Sequence, residues 1–259
     1  MIALFVMKLA AGITLMWLLM PRKEVTDGFF RIQMRLVLGL SVLGALLLSR
    51  SGTWEAVQSD VAAEETARWL RGLQIAAAVV AYPGSIFWAL GRRTPGNIAI
   101  WALALLTNSA LLLHSIRIPN ECHAVLQMLS DVTSAGVLGA MLTGMLLGHW
   151  YLTTPTMSIK PLWWFTKALI VVGVMRLIVS SILVATSGMP GLSLPTGLWF
   201  GLRLVCGIVI PVIVAVTVLR ILKYRNTQSA TGVLFAGLIL IFMGEMMAAL
   251  LERATRIPF

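Results

Sequence analysis

Eight apolar runs, each about as long as a bilayer is thick and most of them bounded by helix breakers, constrain this chain more than any other feature of it. They cover approximately residues 2–20, 32–49, 68–90, 97–115, 125–148, 162–186, 196–222 and 229–251. A helix needs about 20 apolar residues to cross roughly 30 Å of hydrocarbon. A segment in that medium must satisfy its own backbone, so each run is expected to be helical. The joints hold Pro21, Pro95-Gly96, Pro119-Asn120, Pro155, Gly188-Met189-Pro190 and Pro195. With 59% hydrophobic and 12% charged residues, the chain reads as an all-α integral membrane protein of about eight transmembrane helices. Residues 1–259 form one polytopic membrane domain, and two four-helix halves are a plausible arrangement of it. The stretch Met1–Met20 has no basic start and no small-residue cleavage site, so it is expected to stay as the first helix.

A net charge of +10 would suggest nucleic acid in a soluble protein, but here the basic residues gather at the ends of the apolar runs. They read as topology signals and lipid headgroup anchors, and no nucleic-acid partner is expected. Arg22, Lys23, Arg31, Arg35, Arg92, Arg93, Lys160, Lys167, Arg220, Lys223 and Arg225 fall on one side. Lys8, Arg50, Arg68, Arg71, Arg117, Arg253 and Arg256 fall on the other, with most of the acids. The bias puts the first side in the cytoplasm and both termini outside, in a bacterial inner membrane. Lys8 is expected to snorkel from the outer end of the first helix. Residues 51–67 are expected to form an outer loop that is acidic through Glu55, Asp60, Glu64 and Glu65. From Trp54 onward that loop reads as a short amphipathic helix, an interfacial lid in preference to a docking site.

Ionisable groups inside hydrocarbon are costly and normally face the protein interior. Four stand well inside the runs: Asp131, Arg176, Arg203 and Glu245. Counting along their helices puts all four in the middle to outer half, where they are expected to form one buried charge network. Its two readings are a polar pocket or proton path, and a self-neutralising tie between the last four helices. Asn108, Ser130, Thr133 and Ser180 add polarity nearby and favour the pocket.

The fifth run carries small residues at every fourth position, Gly136, Ala140, Gly144 and Gly148, and ends in His149-Trp150-Tyr151. Small residues at this spacing let membrane helices approach closely. His149 lies about 27 Å along the helix from Asp131, so the two cannot serve one ligand atom. His149, Trp150 and Tyr151 read either as an aromatic belt anchor or as a quinone site, with Gly144 and Gly148 leaving room for a flat ring. Haem b is disfavoured, since the other histidines, His114 and His123, fall at the opposite face. No ligand spacing indicates a metal, and Cys122 and Cys206 read as free thiols.

The leading expectation is an integral membrane subunit of a respiratory or photosynthetic electron-transfer complex, quinone-binding or scaffolding, and not an enzyme by itself. Its partners would be other membrane subunits, a soluble or peripheral redox protein, and lipids. In helix count alone the layout resembles eight-helix quinol-binding subunits of the polysulfide-reductase kind. The alternative is a small transporter or permease using the Asp131, Arg176, Arg203 and Glu245 network. A lipid-processing enzyme ranks last, because GxSxG, HExxH and carboxylate-rich metal motifs are missing.

Overall fold

The computed structural model of the chain describes residues 1–54, 61–116, 121–154, 157–187 and 194–255. These form eight helices long and apolar enough to cross a membrane. In chain order they are α1 (Ile2–Leu19), α2 (Asp27–Trp54), α3 (Val61–Ala89), α4 (Arg93–Ser115), α5 (Glu121–Thr153) and α6 (Lys160–Ser187). The last two are α7 (Leu194–Lys223), which contains a π-helical turn at Val205–Val209, and α8 (Thr227–Thr255). The protein is an integral membrane protein by this measure. Large apolar side chains such as Val79, Trp101 and Leu105 point outward, which suits lipid and not water.

The expected outer loop at residues 51–67 is shorter than the sequence suggests. Residues 51–54 continue α2 and residues 61–67 open α3, while residues 55–60, with Glu55, Val57 and Asp60, lie outside the described residues. The α3–α4 connection closes with Gly91 at φ 66°. There the Arg92 N–H reaches back to the Phe87 carbonyl, satisfying an otherwise orphaned helix end.

Two four-helix rings make up the bundle. In the first, α1 packs on α2 and α4, and α3 bridges α2 and α4; in the second, α5 packs on α6 and α8, and α7 bridges α6 and α8. The rings meet along α1 and α5, which are 61% and 72% buried against 28% for α6. Two glycines set that junction. A Cβ on Gly12 would overlap the Ala135 carbonyl, and one on Gly139 would overlap the Gly12 backbone. Within the first ring α1 is tied to α4, where the Thr14 and Thr107 hydroxyls lie 2.8 Å apart and the Asn108 amide donates to Thr14 Oγ1 at 3.5 Å.

The four-residue ladder on α5 serves other neighbours. Gly136 faces Val172 and Gly144 faces Phe165, both on α6, whereas Gly148 faces Thr231 on α8. The room that was expected to admit a flat ring at Gly144 and Gly148 is thus taken by protein side chains. A Cβ on Gly144 would meet Phe165 at an ordinary 3.5 Å. Gly144→Ala is therefore expected to melt at or slightly above the wild-type temperature in detergent, since alanine is favoured over glycine in a helix by about 0.5–1 kcal/mol. Gly139→Ala is expected to give little monodisperse protein; equal melting of the two variants would contradict the assigned junction.

Candidate functional site

Five charged side chains meet inside the bundle, one more than the sequence suggests. Lys8 is the addition: it does not snorkel but is 5% exposed, with its Nζ 2.9 Å from Asp131 Oδ1 and 3.9 Å from Glu245 Oε2. A lysine one turn from Gly12, the residue on which α1 packs, cannot reach lipid. That proximity was the available signal, and the position of Lys8 near a helix end hid it.

Asp131 is wholly buried on α5. Beyond Lys8, its second oxygen accepts from Ser115 Oγ at 2.7 Å and from Gln127 Nε2 at 3.2 Å. Glu245 on α8 pairs with Arg203 on α7 at 2.5 Å. The backbone makes this reach possible. A Cβ on Gly244 would collide with the Gly207 backbone, so α7 and α8 touch there. A Cβ on Gly207 would lie 2.6 Å from Arg203 Nη1, so the guanidinium lies across bare backbone on its way to Glu245. Gly207 belongs to the π-helical turn, and Pro211 follows without the N–H that an α-helix would aim at the Gly207 carbonyl.

Arg176 on α6 is held differently. Its Nη1 donates to the Ser130 carbonyl and hydroxyl, each at 2.7 Å, and to Thr133 Oγ1 at 3.3 Å. Among the described residues no carboxylate lies within 4.0 Å of it. Asp131, Arg176, Arg203 and Glu245 all sit nine to eleven residues from the helix ends on the face where α1 begins and α8 ends. They share a layer roughly 15 Å deep, into which Lys8 reaches. Ion pairs join Asp131, Lys8, Glu245 and Arg203, while Arg176 is held apart by neutral oxygens, so that in this layer three cations face two carboxylates.

A groove of about 330 Å³ lies beside this layer between α6 and α7, lined by Leu177, Ser180, Val184, Phe200, Arg203 and Ile208. Leu177 is 41% exposed at its mouth, so the groove opens toward lipid. Arg203 Nε and Nη2 and Ser180 Oγ find no partner among the described residues, nor do Nε and Nη2 of Arg176 one turn away. Buried donors are rarely left unpaired. The groove is apolar along its walls, and the unpaired donors of Arg203 and Ser180 lie buried behind them.

The histidine end of α5 looks different. His149 is exposed, while the Trp150 indole donates to Thr26 Oγ1 at 2.8 Å and the Tyr151 hydroxyl donates to the Ser158 carbonyl. The three do not converge on one space. A cavity of about 580 Å³ at this end is lined instead by Tyr151, Met157, Ser158, Lys160, Arg225 and Thr227. His114 is half-buried on α4, and the side chains of Cys122 and His123 lie outside the described residues. No group of three or more His, Cys, Asp or Glu comes together among the described residues. Cys206 is buried and free in the π-helical turn.

Removing one member of a buried pair strands the other, which costs about 3–5 kcal/mol. Lys8→Met is expected to destabilise the protein by that order, measured by denaturant or thermal unfolding in detergent. Adding Asp131→Asn should recover most of the loss, since the amide keeps the Ser115 bond. A double variant as unstable as the sum of the two singles would contradict the pairing.

Compared with known proteins, the chain matches no family model, no curated protein and no solved structure.

Proposed function

We propose that this protein is a membrane subunit of an electron-transfer complex that holds a quinone-type head group in the groove between α6 and α7. The observation that carries the reading is an apolar groove open to lipid whose lining includes Arg203 and Ser180, two residues with buried hydrogen-bond donors that find no partner among the described residues. A quinone carbonyl only accepts hydrogen bonds, and its tail is at home in hydrocarbon. Such a ligand supplies what the groove lacks and needs no aqueous entry. The volume of about 330 Å³ falls within the range of small-molecule pockets, roughly 300–1,000 Å³. When bound, a quinone would supply two-electron chemistry; the chain's own residues orient the head group and hold charge beside it. Redox centres that exchange electrons with it belong to partner chains. The basic-residue bias supports a bacterial inner membrane with both termini outside.

This reading moves the quinone site from His149 to Arg203, because the cavity at the histidine end is lined by Tyr151 but by neither His149 nor Trp150, while the α6–α7 groove is apolar, open to lipid and lined by Arg203 and Ser180. The permease reading comes second. Lys8 with Asp131 and Arg203 with Glu245 are already paired, which leaves no free carboxylate pair to hold a polar solute.

The test is binding of a short-tailed benzoquinone to the protein in nanodiscs, followed by tryptophan fluorescence, with Trp199 beside the groove as reporter. Saturable quenching is expected. Ser180→Ala should weaken it about fivefold, the loss of one neutral hydrogen bond of about 1 kcal/mol. His149→Ala should leave it unchanged. Quenching that never saturates, or that responds to His149→Ala and not to Ser180→Ala, would sink the reading.

A further inference from the structure

A layer of polar side chains, one from each helix, interrupts the apolar core of the first ring. Thr14 on α1, Ser41 on α2, Gln74 on α3 and Thr107 on α4 are each at most 1% exposed. Counted from the face where α2 and α4 begin and α3 ends, Ser41, Thr107 and Gln74 lie fourteen, fourteen and fifteen residues in, about 21 Å along their helices. Thr14 joins them through its hydroxyl, 2.8 Å from that of Thr107. Apolar side chains close the layer on both sides. Toward that face Val37, Ala77 and Leu103 belong to the main core, whereas toward the other Met7, Leu70 and Ala110 form a cluster of their own. On α3 and α4 the polar residue stands in sequence between a member of each cluster.

Within this layer the hydrogen bonds do not close. The Thr14 and Thr107 hydroxyls fall back on carbonyls of their own helices, Ala11 at 2.9 Å and Leu103 at 2.8 Å. Ser41 does not: its Oγ has no partner among the described residues, and neither do Nε2 and Oε1 of Gln74. Gln74 lies against bare backbone of α2, since a Cβ on Gly44 would be 3.2 Å from its Oε1. Ser41 is one turn from Gly44, on the same side of α2. Buried polar groups left over in this way call for a partner from outside the chain. We infer that a resident water molecule occupies the layer, held between Gln74 and Ser41. Gln74 Oε1 needs a donor, Nε2 needs an acceptor, and the serine hydroxyl can serve as either. Water meets both needs, and about two to four polar partners hold a buried one. A metal cation would satisfy the oxygens alone and face the amide hydrogens of Gln74 and of Asn108, which donates to Thr14 Oγ1 at 3.5 Å. The water gives α2 and α3 a polar link that, among the described residues, no ion pair supplies. The site lies in the first ring, and it stands whether or not the groove of the second ring binds a quinone.

The experiment uses the full chain, isotopically labelled and in lipid bilayers, and follows magnetisation passing from water protons to assigned side chains by solid-state NMR. In the wild-type protein the Gln74 amide is expected to receive it several-fold faster than the methyl groups of Leu70 and Ala77, one turn to either side. Transfer to Gln74 as slow as to those two overturns the site, and this comparison needs no variant. Gln74→Leu, which removes both amide atoms at similar size, should abolish the transfer to the Ser41 and Thr107 side chains. Ser41→Ala, a smaller change, should weaken the transfer to Gln74. Undiminished transfer in both variants, with the rest of the spectrum unchanged, overturns the assignment of the water to this pair. Exchanging sodium for choline in the buffer should leave the Gln74 carboxamide resonances in place. A shift on that exchange puts a cation in the layer and overturns the water.

Discussion

Placing three cations and two carboxylates in hydrocarbon is the constraint on which the rest of this structure depends. None of the five can be solvated where it sits, so each must find its partner inside the bundle. Lys8 can reach Asp131 only because α1 and α5 touch through Gly12 and Gly139. Arg203 can reach Glu245 only because Gly207 and Gly244 let α7 and α8 meet at bare backbone. The first contact joins the two four-helix rings, and the second closes one of them. Packing by small residues and pairing of charges are therefore one design: the glycines set the distances at which the ion pairs become affordable.

The design leaves one positive charge and several donors over. Arg176 is satisfied only by neutral oxygens, and Nε and Nη2 of Arg203, a residue that lines the groove, are buried without a partner among the described residues. A structural tie between helices would be expected to balance itself, as the Lys8–Asp131 pair does. An excess of donors beside an apolar groove is the mark of a site that expects an acceptor from outside. This is why the groove, and not the more aromatic histidine end, carries the functional proposal.

The architecture was legible from run length, because nothing but helices of that length solves the backbone problem in lipid. The burial of Asp131, Arg176, Arg203 and Glu245 was legible for the same reason. Lys8 was not, since a long side chain near a helix end can turn outward, and only the α1–α5 contact shows that this one turns in. The ladder on α5 misled in part. A spacing of four residues turns about 400°, so it drifts about 40° at each step. Gly136 and Gly144 accordingly face α6, Gly148 faces α8, and the closest approach falls to Gly139, off the ladder. The groove was invisible, because Ser180 and Arg203 lie on different helices with no motif between them.

Quinone content of the protein purified gently from its own membrane tests the central claim most directly. Organic extraction and chromatography should find about one quinone per chain, the stoichiometry of a single site. The quinone should be missing from a folded Ala185→Trp variant, in which an indole fills the groove from its exposed rim. Equal quinone in both proteins, or none in the wild type, would contradict the account.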